Sequence, residues 1–179
     1  MKFFSIILSL FFYSSFAQSE ILSGKYELQK SNVNYLVTYL IKKADGDSSQ
    51  SRGKGECASA CEFLVAAPIK SFQSKDSNRD ANMLRYAKAE KFPLVVAKIS
   101  FKNVIDKGVL LADLEIDFGG VKHLYKSIPF NASSKEGILH VEGKLDLLLD
   151  QHKIEKPSLM GVEIKEVVPL TITADWKKI

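Results

Sequence analysis

Cys57 and Cys61 are the only two cysteines of the chain, four residues apart in GKGECASACEFLV. In an exported protein an even pair invites a disulfide. On a straight strand, however, residues four apart stand well beyond the ~4.4–6.8 Å between α-carbons that the bond needs. The disulfide therefore requires a bend or bulge through Ala58-Ser59-Ala60; without one the pair remains as two thiols. Neither a CxxC redox motif nor a metal-binding cysteine cluster is written here.

The other chemistry-bearing residues are scattered. Zinc ligands sit at short spacings or converge in space, whereas His123, His140 and His152 are far apart in the chain and read as surface or rim residues. No GxSxG elbow supports a serine hydrolase. Asp113, Glu115 and Asp117 alternate with Leu114 and Ile116, the pattern of a solvated strand face and not of a paired acid and base. These readings leave no catalytic residue, no metal site and no cofactor, so the expectation is a protein that is not an enzyme. Arg79-Asp80 admits two roles: Arg79 at a cavity mouth bonding a ligand oxygen, or Asp80 capping a helix with Arg79 paired across the insert. The second is preferred.

The elements that position these groups are mostly strands, read from apolar residues at period two. Val33, Tyr35, Val37, Tyr39 and Ile41 share one face, and Cys61, Phe63, Val65, Ala67 and Ile69 share another. Pro68 lacks an N–H and argues for an edge or a bulge. Leu110, Ala112, Leu114, Ile116 and Phe118 form a half-buried set, followed by a Gly119-Gly120 turn. Leu124, Lys126, Ile128 and Phe130 then oppose Val121, His123, Tyr125 and Ser127. Leu139, Val141, Gly143, Leu145, Leu147 and Leu149 face together, with Gly143 leaving room for a ligand or marking a bend. A last strand alternates from Val162 through Leu170 to Trp176. Seven or eight strands with polar turns point to a sandwich or a closed barrel, and closure removes long exposed edges.

Two stretches break this rhythm. Ala44 to Glu56 reads as a turn or mobile loop. The stretch SKDSNRDANMLRYAKAEKFP places Met83, Tyr86, Ala87 and Glu90 on one helical face, predicting a short helix from about Asp80 to Ala89 that stops before Pro93. A further helical turn is expected near Gln151 to Lys156.

The first seventeen residues combine Lys2, the apolar run Phe3 to Tyr13, and small residues at Ser15 and Ala17. That is the pattern of a signal peptide, shorter than the about 20 residues of a membrane-spanning helix. The expected mature chain is then residues 18–179, one domain, periplasmic or secreted and soluble. The formal net charge of +4 is mild and interspersed with acids, which excludes the concentrated basic patch of a nucleic-acid binder.

In four blocks the sequence resembles the YceI-like family of exported, polyisoprenoid-binding proteins. The blocks are GKYELQKSNVNYLVTYL, the insert from Ser71 to Phe101, LEIDFGGVKH, and LLLDQHKIEKPSLMGVEIKEVVPLTITADW. The resemblance implies an all-β fold, an eight-stranded antiparallel lipocalin-like barrel with a short helical insert near one end. It also implies a long apolar cavity that takes an isoprenoid, an isoprenoid quinone or another long apolar lipid, with transient membrane contact. The residues expected to bind the lipid are Phe63, Val65, Met83, Tyr86, Phe101, Leu114, Ile116, Val141, Leu145 and Leu170. The competing expectation is a non-enzymatic interaction or stress-protective barrel whose interior is packed solid.

Overall fold

In the computed structural model of this chain, residues 19–39, 42–159 and 162–179 are described. The expected leader and Ile41 lie outside them. The strands are β1 (Glu20–Ile21), β2 (Gly24–Tyr39), β3 (Lys42–Ser48), β4 (Arg52–Cys57), β5 (Ala60–Pro68), β6 (Leu94–Lys102), β7 (Val104–Ile105), β8 (Val109–Phe118), β9 (Val121–Lys135), β10 (Ile138–Leu148), β11 (Ser158–Leu159), β12 (Val162–Glu163) and β13 (Val167–Lys178). One helix, α1 (Ser77–Tyr86), joins β5 to β6. The main sheet runs β13-β10-β9-β8-β6-β5-β4-β2-β3, and β13 pairs back onto β2. That pairing closes it.

Along β2, Val33 faces Ser48 of β3 and Glu27 faces Lys54 of β4, in one continuous register. β3 and β4 are therefore one stave broken at residues 49–51, and the barrel is eight-stranded and antiparallel. The polar run Ala44 to Glu56, expected as a loop, is mostly strand. Its low apolar content misleads because neighbouring aromatic rings supply the buried surface. A methyl group added at Gly46 would come within 2.6 Å of Tyr35, and one at Gly53 within 2.7 Å of Trp176. Phe63 covers Gly55 in the same way, and Phe130 covers Gly143. Gly143 thus makes room for a neighbour's ring, neither for a ligand nor for a bend.

The inward sets of β5, β8 and β10 match their periodicity, with Phe63, Leu114, Ile116, Leu145 and Leu147 buried. β9 does not keep one parity. Ala112 pairs with Ile128 but Leu114 pairs with Tyr125, so two residues of β9 oppose Asp113 alone. This is a β-bulge, with Ser127 at φ 55°. The extra residue swaps faces: Tyr125 points in, Leu124 is 45% exposed, and Phe130 returns inward. The grouping of Leu124 with Phe130 on one face is therefore corrected. The Asp113 carboxylate accepts from the displaced Ser127 N–H at 2.7 Å, which gives this acidic residue a structural partner.

The last strand also starts later than its alternation suggests. β11 and β12 form a separate small hairpin, and the main sheet resumes only at Val167. Between them, Lys165 N–H donates to the Thr38 carbonyl and Leu149 N–H to that of Glu166. These bonds tie the segment to β2 and to the end of β10.

Candidate functional site: an apolar cavity under a helical lid

One end of the barrel is plugged. Cys57 and Cys61 face each other at the β4–β5 hairpin and form a disulfide, with α-carbons 4.0 Å apart. Ala58 N–H bonding to Ala60 C=O supplies the necessary bend. Beside them the Phe63 ring meets Trp176 edge-on at 4.6 Å, Phe101 at 5.3 Å and Tyr26 at 5.7 Å. β1 pairs with β7 at this end, burying Leu22 and Ile105.

Above that floor lies a cavity of about 670 Å³, within the ~300–1,000 Å³ usual for ligand pockets. The ten residues named as lipid contacts are placed around it: Phe63, Val65, Phe101, Leu114, Ile116, Val141, Leu145 and Leu170 from strands, Met83 and Tyr86 from α1. The expectation overlooked Phe130, brought inward by the bulge, and Ile154 from the segment after β10. It also left out Val33, Tyr35 and Val37 of β2, although their shared parity was evident. Its polar lining includes Lys42 and Lys43 of β3 and Arg79 and Asn82 of the insert. Among the described residues no group of three metal-binding side chains forms.

The insert forms the roof. After Pro68 the chain makes a 3-10 turn at Ile69–Ser71, then runs past β3, where Asp47 and Gln73 exchange backbone hydrogen bonds. The helix begins three residues earlier than expected, because Asp76 and not Asp80 is its N-cap. The Asp76 carboxylate accepts from the N–H groups of Asn78 and Arg79 at 3.0 and 3.1 Å. Asp80 instead accepts from Ser74 N–H, and Arg79 pairs within the helix with Asp76 at 3.7 Å, not across the insert. No residue of α1 is buried. Met83 and Tyr86 are only half-covered and lean over the cavity. Firm attachment starts just beyond the helix: Ala87 is buried, and Lys88 Nζ donates to the Lys153 carbonyl at 3.1 Å. A roof with so little buried surface opens at low cost.

One wall carries a seam. β9 and β10 pair only as far as Gly143 opposite Phe130, and side chains bridge the gap beyond. Leu148 N–H of β10 donates to the Tyr125 hydroxyl at 3.2 Å, and that hydroxyl meets His152 Nε2 at 3.0 Å. His152 Nδ1 lies 2.9 Å from the Val121 carbonyl, so it carries the proton, and Nε2 accepts from Tyr125. His152 is 0% exposed, which corrects its reading as a surface or rim residue. It lies in a 3-10 turn, Asp150–His152, shorter than the helical turn expected from Gln151 to Lys156. Burial holds its pKa below the usual histidine value and raises that of Tyr125. His140, by contrast, is exposed and pairs with Asp175 across β10 and β13 at 2.6 Å.

No family model and no curated protein matches the sequence. Solved structures do match. A polyisoprenoid binding domain from Saccharophagus degradans, implicated in plant cell wall breakdown, superposes with a TM-score of 0.70 at 12% identity, covering 86% of this chain and 98% of that one. BcnA of Burkholderia cenocepacia gives 0.68 at 9% identity over 81% and 95%. The Campylobacter jejuni YCEI protein gives 0.56 at 10% identity over 100% and 99%. The chain shares their barrel fold. At such identities the likeness concerns the backbone architecture, and the cargo has to be argued from this chain's own cavity.

Proposed function

We propose that this protein is an exported carrier or scavenger that holds a long apolar lipid, of the polyisoprenoid or isoprenoid-quinone class, inside the barrel. The observation that carries this reading is the roughly 670 Å³ apolar space, plugged at the disulfide end and roofed by a loosely seated helix. Moving apolar surface out of water contributes about 0.8 kcal/mol per methylene, and ordering a flexible chain offsets part of that. Sequestration needs no covalent step. A barrel packed solid is the poorer reading, since Val65, Ala97, Val141 and Ile172 border open space.

The polyisoprenoid assignment draws support from the sequence resemblance and from the likeness to the polyisoprenoid binding domain of Saccharophagus degradans. Export draws support from the leader pattern of the first seventeen residues, and the buried disulfide suits an oxidising compartment. In this reading residues 18–179 act as one domain. The test is unfolding with and without a polyprenyl lipid. Binding to the native state alone at a hundredfold excess over Kd stabilises it by about 2.7 kcal/mol. No rise at saturating lipid contradicts the proposal.

A further inference from the structure

The cavity wall contains three buried hydroxyls that nothing satisfies. Ser31 Oγ, Tyr35 Oη and Ser51 Oγ are the buried side-chain polar atoms without a hydrogen-bond partner among the described residues, and all three residues line the cavity. They share one wall. Ser31 and Tyr35 lie on the same face of β2, and Ser51 belongs to the break between β3 and β4, alongside β2. Other buried hydroxyls nearby are paired: Ser48 Oγ meets Ser71 Oγ at 2.6 Å, and Ser71 Oγ donates to the Pro68 carbonyl at 2.6 Å. An unpaired buried hydroxyl is costly and calls for an explanation. Tyr35 is 8% exposed, with its ring laid on Gly46 and beside Phe72 at 6.2 Å.

We infer that the Ser31–Tyr35–Ser51 wall is a head-group site, selecting lipids whose apolar chain ends in a neutral carbonyl or hydroxyl. This inference rests on the carrier reading and specifies its ligand. A hydroxyl both donates and accepts, so it serves a ketone or an alcohol equally. Burying an ionised head without a counter-charge is far more costly. The cations that line the cavity, Lys42, Lys43 and Arg79, are all exposed. The three oxygens lie just beneath the wall surface. Rotation of a serine about one bond, or a tilt of the Tyr35 ring off Gly46, presents them to a head group.

The test compares three probes with one C20 chain on the full protein: geranylgeraniol, geranylgeranyl phosphate, and the hydrocarbon with hydrogen in place of the hydroxyl. The alcohol is expected to bind at least about tenfold more tightly than the hydrocarbon. Ser31→Ala/Tyr35→Phe/Ser51→Ala should bring the alcohol down to the hydrocarbon's affinity. Tyr35→Phe alone should fold at least as stably as wild type, because it removes an unsatisfied group, and lose part of the preference. Equal affinity for alcohol and hydrocarbon overturns the head-group site but leaves the carrier intact. Tightest binding of the phosphate, lost on replacing Lys42, Lys43 and Arg79, also overturns it and moves recognition to the rim. Failure of all three probes to bind overturns the carrier reading, and the head-group site with it.

Discussion

The Tyr125 hydroxyl lies 3.0 Å from His152 Nε2 and accepts from Leu148 N–H, so two side chains complete a barrel wall where backbone pairing of β9 and β10 has stopped. His152 is satisfied only when neutral. Desolvation disfavours its charge and outweighs the Val121 carbonyl, which favours it, with lesser opposing effects from His123 and Asp117. The folded-state pKa is therefore depressed. As pH falls through about 6.5 the unfolded chain takes up a proton that the folded chain refuses, and stability drops. It is full above that pH and declines below it. Chemical unfolding at about pH 7.5 and about pH 5.5 measures this, and His152→Gln should flatten the difference. A wild-type midpoint that does not fall on acidification contradicts the account.

Removing the phenol oxygen tests the same seam at constant pH. Tyr125→Phe leaves Leu148 N–H and His152 Nε2 without a partner, at a cost of about 1–3 kcal/mol. Tyr35→Phe, whose hydroxyl has no partner, should cost nothing. A matching loss in both variants would contradict the hydrogen-bond assignment.

Asp113 holds the β9 bulge through Ser127 N–H. Asp113→Ala should destabilise the fold by about 1 kcal/mol, whereas Asp113→Asn retains an acceptor and should recover most of it. Equal losses in the two variants would mean that charge, not acceptance at the bulge, matters.

The helical roof depends on its cap. Asp76→Ala removes the acceptor for Asn78 and Arg79 N–H, which destabilises the first turn by about 1 kcal/mol. Release of bound lipid, followed by transfer to an acceptor vesicle, should quicken while global stability barely changes. Unchanged release would mean that the lipid leaves by another route.

How much of this was legible in the sequence depends on the element. β5, β8 and β10 carry uninterrupted alternation, and their inward residues on the cavity wall were readable from period alone. The bulge at Ser127 was not, because no glycine marks it and its compensation comes from Asp113 on another strand. The β3–β4 stave was hidden for a related reason. Its Gly46, Gly53 and Gly55 look like turn residues, and the rings that cover them belong to distant positions. His152 was missed because its burial depends on where β9 and β10 part. The cap moved from Asp80 to Asp76 because both acids precede plausible helix starts, and only the backbone decides between them.

Filling the cavity separates the barrel's stability from its cargo. Ala97 borders the open space on β6, opposite Ile116, and Ala97→Trp places a large side chain there. The variant should fold, with strain no greater than about 1–3 kcal/mol, and lose lipid binding by at least about tenfold. Undiminished binding would place the lipid elsewhere.

The most direct measurement is mass spectrometry of an organic-solvent extract of the wild-type protein, purified from its own cells without detergent, with Ala97→Trp processed alongside. The account predicts near-stoichiometric long-chain apolar lipid with a neutral oxygen-bearing head from the wild type, and little from the variant. Wild-type protein that is repeatedly empty, or equal lipid from both, would contradict it.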